Sequence, residues 1–224
     1  MNDKNLLRAI KLKLCTIPTK NYKEIEDINL SNKNLLGNTL NIDLKDISEL
    51  EGLKTLSLKF FDVTDDVVDS INSLKNLYTI KFYMCEFKTN KELNSNISSI
   101  TIYCCKNFQH TILNNTINVE SLELTNSGLI DLSKLQHLEK IKNLMIRDCS
   151  LISLPKISNF TNIENLYLNN INLELDFEIN KMQNLKFISF SGSKAPNKEL
   201  YISKLEKQNS KVKIEWREND LPIE

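Results

Sequence analysis

Few side chains in this 224-residue chain have the types and spacing that catalysis requires. The two histidines, His110 and His137, have no serine or cysteine at a spacing typical of a nucleophile motif. The sequence also lacks the zinc-protease pattern His-Glu-x-x-His, the nucleophile-elbow pattern Gly-x-Ser-x-Gly and a glycine-rich phosphate loop. We therefore predict that the protein is not an enzyme and binds no cofactor.

Cysteine chemistry is limited in a similar way. No Cys-x-x-Cys pair occurs, and the cysteines are odd in number: Cys15, Cys85, Cys104, Cys105 and Cys149. This excludes a fully paired disulfide framework and disfavours a zinc ribbon. We predict buried free thiols, with a metal or disulfide link between Cys85 and Cys105 as the alternative.

One group of carboxylates is dense enough to be considered as a calcium site. Asp62, Asp65, Asp66 and Asp69 lie close together in the sequence, but they lack the spacing and the glycine of an EF-hand loop. We interpret Asp65 and Asp66 as the first turn of a helix over 64–74, because the positive end of a helix favours carboxylates. We therefore predict no metal site.

Charge and hydropathy exclude several classes of partner. The chain has 29 basic and 29 acidic side chains, whereas nucleic-acid-binding proteins usually carry a basic excess. No apolar run approaches the roughly 18–20 residues of a membrane helix, and the first residues lead into no signal-peptide core. We expect no nucleic-acid partner, no membrane insertion and a cytoplasmic location, or a secreted or surface location if a signal segment was removed.

A hydrophobic repeat organises nearly the whole chain. The pattern Leu-x-x-Leu-x-Leu, with other apolar residues allowed, starts at Ile25, Leu53, Leu77, Ile97, Val119, Ile141, Ile163 and Leu185. The last four copies follow one another at a constant step of 22 residues. The last two apolar residues of each copy lie on one side of a short strand, and the residue between them faces outward. Since apolar residues recur about every third position around each strand, we predict stacked coils that share a core.

This pattern resembles that of the leucine-rich repeat family, in which an asparagine at the ninth position bonds to neighbouring backbone. The ninth positions here are Phe61, Cys85, Cys105, Ser127, Cys149, Ile171 and Ser193. Cysteine and serine can partly replace the asparagine, whereas phenylalanine and isoleucine cannot. The resemblance implies an α/β solenoid with a curved parallel β-sheet on its concave face and short helices and extended turns on its convex face.

The amino-terminal segment carries a second resemblance. Residues 3–14 form an amphipathic pattern, with Asp3 as a helix N-cap and Leu6, Ile10 and Leu14 along one face. This helix and the first strand after it are similar to the helical cap of bacterial internalin-like leucine-rich repeat proteins. Such a cap covers the apolar end of the stack.

The carboxyl-terminal segment is predicted to be the matching cap. A helix over 197–208 with Leu200 and Leu205 facing inward leads to a final strand over 212–216, where Trp216 covers the last coil. We predict a single leucine-rich repeat domain over 1–224, composed of a helical cap at 1–23, about eight repeats at 24–194 and a C-terminal cap at 195–224.

Exposed aromatic and methionine side chains on the predicted sheet indicate where a partner binds. A solvent-exposed sheet face that binds no partner should favour Thr, Ser, Lys and Glu. Here Phe60, Tyr83, Met84 and Tyr103 cluster on adjacent coils instead. Exposed apolar area of this kind requires a reason, and aromatic and methionine residues are enriched in binding sites.

A second group combines Met145, Arg147 and Tyr167, with Phe187 beside them. Charged residues on the same face would set the register and orientation of the partner. The predicted partner-binding residues are Lys59, Phe60, Lys81, Tyr83, Met84, Tyr103, Glu123, Met145, Arg147, Asp148, Tyr167 and Phe187.

Together these features predict a non-catalytic protein-interaction module that binds an unidentified protein on its concave face and is itself a monomer. One alternative is an exported or surface internalin-like protein that binds a host, as the cap suggests. Another is a structural scaffold unit that uses its convex face. A small-ligand or enzymatic role would need a deep pocket with converging polar groups.

Overall fold

Two compact units make up the structure, which is a computed structural model. It describes residues 4–14, 21–34, 36–135, 138–152, 154–173, 179, 181–195 and 197–217. The first unit is Met1–Thr116 and the second is Ile117–Glu224. A single domain over 1–224 stays a prediction.

The first unit alternates long strands with short helices and turns. Its elements are α1 (Lys4–Leu14), β1 (Asp27–Ser31), β2 (Thr55–Lys59), β3 (Asp62–Val63), α2 (Asp65–Asn72), β4 (Thr79–Tyr83), β5 (Glu86–Phe87) and β6 (Ser99–Tyr103). Short 3-10 helices cover Tyr22–Glu24, Lys45–Glu49 and His110–Leu113. The predicted helix over 64–74 is confirmed by α2, which has Asp65 and Asp66 in its first turn.

The long strands of the first unit form a parallel sheet in the order β1-β2-β4-β6, and β3 pairs with β5 beside it. The register aligns Leu30 with Leu58, Phe82 and Ile102. These side chains, and the apolar ones two positions before them, are at most 2% exposed. The repeat pattern therefore predicts the facing of each strand even where the spacing between copies is irregular.

The second unit repeats this arrangement. Its elements are β7 (Ser121–Thr125), β8 (Leu129–Asp131), β9 (Asn143–Arg147), β10 (Ser150–Ile152), β11 (Asn165–Asn169), β12 (Phe187–Ser189), α3 (Lys198–Gln208) and β13 (Lys213–Glu215), with 3-10 helices at Leu132–Leu135 and Leu154–Asn159. The main sheet has the parallel order β7-β9-β11-β12-β13, and β8 pairs with β10. The predicted stacking of parallel strands is confirmed in each unit.

The ninth-position residues lie inside the coils, where their thiols and hydroxyls contact backbone carbonyls. The Sγ of Cys85 lies 3.4 Å from the carbonyl oxygen of Leu58 in the preceding coil. The hydroxyl of Ser193 donates to the carbonyl of Leu168 at 2.6 Å, and Cys105 makes a contact like that of Cys85. The predicted replacement of asparagine by cysteine and serine is confirmed at these positions.

A second column of asparagines also joins neighbouring coils. Asn76, Asn96, Asn162 and Asn184 each stand directly before the first apolar residue of a repeat. Their side-chain amides donate to backbone carbonyls of the preceding coil at 2.7 to 3.2 Å. These hydrogen bonds give backbone carbonyls of one coil a donor from the next.

The residues that follow β2, β4 and β6 have a left-handed backbone. The φ angle is 61° at Phe60, 52° at Met84 and 52° at Cys104. The equivalent left-handed positions of the second unit are Asn126, Asp148, Asn170 and Gly192. Asparagine, aspartate and glycine tolerate this conformation, whereas other residues incur a steric cost. The first unit thus holds Phe60, Met84 and Cys104 where the backbone disfavours them.

Helix α1 caps the first unit. Leu6 and Ile10 are 0% and 3% exposed, and the Asn5 amide donates to the carbonyl of Leu40 at 2.5 Å. The predicted cap residue Asp3 and the side chain of Leu14 lie outside the described residues. Among those residues, no helix combines the length and apolar character needed to cross a membrane.

Helix α3 caps the second unit, and the predicted facing of one residue is wrong. Leu200 is 61% exposed, while Tyr201 and Leu205 are buried. Residues 201 and 205 are four positions apart and share a helix face, which 200 and 205 do not. The Trp216 ring centroid lies 6.1 Å from that of Tyr201, in keeping with its predicted position over the last coil.

Candidate partner-binding face

The main sheet of the first unit carries an apolar groove on its outward face, opposite the buried leucines. In the row where β4 and β6 present Tyr83 and Tyr103, β1 presents the small side chain of Ser31 and β2 presents Lys59, while the small Ser57 of β2 lies in the neighbouring row. This difference in size forms a step, and the space beside it measures about 390 Å³. Its lining is mainly apolar in surface and consists of Asn29, Leu30, Ser31, Ser57, Lys59, Tyr83, Met84 and Tyr103. We call this feature the tyrosine groove.

The wall of the tyrosine groove is a pair of aromatic rings open to solvent. Tyr83 and Tyr103 are direct neighbours across β4 and β6. Their ring centroids lie 6.0 Å apart at an interplanar angle of 50°, a favourable arrangement for two aromatic side chains. Tyr103 is 37% exposed and Met84 is 45% exposed. The wall is therefore apolar and accessible.

Phe60 lies on the same unit with its ring close to two ammonium groups. The Nζ atoms of Lys33 and Lys59 are 5.0 and 5.1 Å from the ring centroid, within the range of a cation–π interaction. Lys33 follows Asn32, whose N–H donates to the carbonyl of Lys59 at 2.9 Å. The sequence pattern did not identify Lys33, because it belongs to a loop and has no place in the strand template.

The lysines of this face differ from several lysines at the edges of the same unit. Those edge lysines pair with carboxylates, as Lys54 does with Glu26 at 2.5 Å. Lys33, Lys59 and Lys81 form no ion pair with any residue that the structure describes. The face therefore has a positive charge that the carboxylates of its own unit do not neutralise by contact.

The second predicted group lies on the outward face of the second unit. The register places Glu123, Met145 and Tyr167 in one row across β7, β9 and β11. The Tyr167 ring centroid is 5.3 Å from that of Phe187, and both residues are half-buried.

Charge on this second face is paired within the face. The Nε of Arg147 lies 3.5 Å from Oδ2 of Asp148. The cavity beside Asp148 measures about 410 Å³ and is mainly polar in lining. The predicted residues therefore fall into two groups, one in each unit, and the apolar groove belongs to the first.

Residues with potential for catalysis or metal binding have structural partners. Asp62 accepts from the Nζ of Lys88 at 2.7 Å, and Asp65 accepts from the hydroxyl of Thr89. Among the described residues, no cluster of three or more histidine, cysteine, aspartate or glutamate side chains could hold a metal ion. The calcium alternative gains no support from this geometry.

The described cysteines are free thiols: Cys85, Cys104, Cys105 and Cys149. The alternative of a disulfide between Cys85 and Cys105 is therefore wrong. A hydrogen bond to Cys85, together with burial, raises the pKa of the Cys105 thiol, and burial raises the pKa of Cys149. A raised pKa keeps a thiol protonated and unreactive. Cys15 and His137 lie outside the described residues.

Three of the solved structures similar to this chain come from two bacterial species. An internalin from Listeria monocytogenes has a TM-score of 0.59 at 18% sequence identity, over 88% of this chain and 54% of the internalin. An internalin C2 from the same species has a TM-score of 0.63 at 15% identity, over 96% of this chain and 93% of that one. The chain has the leucine-rich repeat fold.

A third structure with the leucine-rich repeat fold, from Leptospira interrogans, has a TM-score of 0.56 at 17% identity, over 99% of this chain and 59% of that one. The chain spans about half the length of the first internalin. No protein-family model matches the sequence, and no curated protein matches it. The predicted leucine-rich repeat fold with an internalin-like arrangement is confirmed, and at these identities the likeness concerns the fold alone.

Proposed function

We propose that the protein is a non-catalytic recognition module that binds a protein partner through the outward face of its first unit. The observation that carries this proposal is the tyrosine groove, where Tyr83, Met84 and Tyr103 expose apolar surface beside a step in the sheet. Water disfavours such a surface, and tyrosine and methionine are enriched at the centres of protein interfaces.

The chemistry of the lining supports recognition over catalysis. The groove residues include no histidine, cysteine, aspartate or glutamate, so the groove offers no side chain of the kinds that most often act as a general base. A zero formal net charge supports a protein partner over a nucleic acid. We infer that the chain acts in this role as a monomer.

The proposal is tested by removing the aromatic wall. Proteins retained by the wild-type chain are identified by mass spectrometry, and the affinity of each purified candidate is measured by isothermal titration calorimetry. We expect the double substitution Tyr83→Ala/Tyr103→Ala to weaken binding at least about tenfold, because truncating an aromatic hot spot removes most of its contact energy.

Tyr78 supplies the matched control for this experiment. It is 46% exposed and stands just before β4, outside the groove lining. Tyr78→Ala should leave the affinity unchanged. Equal losses in the Tyr78 variant and the double variant, or no loss in the double variant, would show that the partner binds elsewhere.

A second candidate is an exported or surface-located protein that binds a host partner. The fold likeness to the two Listeria internalins and the α1 cap favour it. Sequencing the gene upstream of Met1 tests this candidate, since a signal segment there would support export and an in-frame stop codon would oppose it.

A further inference from the structure

We propose that the tyrosine groove takes an acidic peptide segment of another protein, one in which an apolar side chain is flanked by carboxylates. This inference rests on the proposed function and adds the chemistry of the partner. It follows from the distribution of charge around the groove, which is one-sided although the chain as a whole is neutral.

The apolar part of the segment would occupy the step in the sheet. The groove measures about 390 Å³ and is bounded by two tyrosine rings and by Met84. An apolar or aromatic side chain placed there would cover surface that the strands leave exposed. The polar atoms of Asn29 and Ser57 on the opposite side can bond to the backbone of an extended segment, as in other peptide-binding faces.

The carboxylates of the segment would meet three lysines. Lys59 lines the groove, Lys33 lies over the same Phe60 ring as Lys59 does, and Lys81 is in register with Ser57 in the groove. Within the part of the chain that the structure describes, none of the three forms an ion pair. A partner without negative charge would cover these ammonium groups and leave them without a counter-charge, which is costly.

Carboxylates of the first unit lie away from this point. Asp27 faces outward, but it starts β1 and lies about 13 Å along the strand direction from the row of Ser31 and Lys59. Beyond the strand ends, Asp62 accepts from Lys88 and Glu86 accepts from the Asn107 amide. Because no described carboxylate of the first unit forms an ion pair with Lys33, Lys59 or Lys81, a partner can supply the negative charge at the groove.

The test uses a library of random peptides of about twelve residues displayed on phage, a length that covers such a groove. The library is selected on the wild-type chain and counter-selected on Tyr83→Ala/Tyr103→Ala. Enriched peptides are synthesised, and their affinity is measured by fluorescence anisotropy. We expect aspartate and glutamate to flank an apolar residue in these peptides.

Charge reversal then isolates the role of the lysines. Lys59→Glu/Lys81→Glu should weaken binding about tenfold, and raising the salt from about 50 to about 500 mM should weaken wild-type binding by a similar factor. The control Lys75→Glu/Lys211→Glu changes the net charge equally at exposed positions outside the groove and should bind as the wild type does. Circular dichroism of each variant verifies folding.

The possible outcomes separate the two proposals. Acidic peptides that lose affinity in the Lys59/Lys81 variant support both. Some peptides could need Tyr83 and Tyr103 for binding, carry no acidic excess and bind the lysine variant as tightly as the wild type. That outcome would overturn the proposal of an acidic partner and would still support the recognition module. If no enriched peptide distinguishes the wild type from the tyrosine variant, the groove is not a recognition site and both proposals fail.

Discussion

At the scale of single residues, the two units differ in the residues that occupy the left-handed positions after the main strands. The second unit fills these positions with asparagine, aspartate and glycine, which the conformation suits, whereas the first unit has Phe60, Met84 and Cys104. Strained residues that persist in a fold are often retained for function. Met84 lines the tyrosine groove, and Phe60 lies beside Lys59 of the lining, so the cost in stability coincides with the proposed binding surface.

This coincidence predicts opposite effects of one substitution. Met84→Asn should raise the free energy of unfolding by about 1 kcal/mol, because asparagine tolerates φ near 52° better than methionine does. The same change should weaken partner binding, since it removes apolar surface from the groove. Urea denaturation and calorimetric titration measure the two effects.

Met84→Leu is the matched control, since it keeps both the strain and the apolar character. It should leave the stability within about 0.5 kcal/mol of wild type and largely preserve binding. A Met84→Asn protein that is no more stable than wild type would show that the left-handed turn costs nothing there.

At the scale of elements, the strands could be predicted from the sequence, and the links between coils only in part. Apolar residues at fixed spacing determine which side of each strand is buried, so the facing of Leu58 or Phe82 follows directly. The role of the asparagines before four of the repeats does not follow from the hydrophobic pattern, because hydrogen bonds leave no hydropathy signal. The prediction that Leu200 faces inward is wrong because residues 200 and 205 are five positions apart, whereas Tyr201 and Leu205 share one face of α3.

The asparagine column predicts a loss of stability that an asparagine without bonds to the next coil would not give. The Asn96 amide lies 3.1 Å from the carbonyl oxygens of both Lys75 and Leu77. Asn96→Ala should lower the free energy of unfolding by about 1–2 kcal/mol, because it removes two hydrogen bonds between neighbouring coils. Thermal or urea denaturation measures the change.

Asn90→Ala serves as the comparison, since Asn90 is exposed and its side chain bonds to no described residue. We expect its unfolding free energy to stay within about 0.5 kcal/mol of wild type. Similar losses in both variants would indicate that asparagine acts through general solvation and not through the links between coils.

Gly52 provides a third prediction at this scale. A Cβ atom there would lie 2.3 Å from the carbonyl oxygen of Lys23, which is closer than two non-bonded atoms can approach. Gly52→Ala should therefore destabilise the junction of the first two coils by about 2 kcal/mol, whereas the exposed Ser48→Ala should change little. If the Gly52→Ala protein unfolds at the same urea concentration as the wild type, the Tyr22–Glu24 turn moves aside without lowering the free energy of unfolding.

At the scale of the whole molecule, the candidate site was predicted as a set of residues but not as a charged groove. The alternation of strands placed Tyr83 and Tyr103 outside, and the structure adds that small residues on β1 and β2 leave a step beside them. Neutral overall composition concealed the separation of charge, because carboxylates such as Glu26 pair with lysines at the edges. Only the folded arrangement shows that Lys59 has no such partner among the described residues.

The constant spacing in the second unit means that its length can be edited by whole periods. Asn143 and Asn165 occupy equivalent positions of β9 and β11, 22 residues apart. Excision of 143–164 would join Lys142 directly to Asn165. Lys142 would keep its ion pair with Glu120, which measures 3.0 Å in the intact protein. A gene encoding this protein could thus gain or lose 22 residues of the second unit by unequal recombination and keep the register of the remaining strands. The unevenly spaced copies of the first unit, where the tyrosine groove lies, do not allow this.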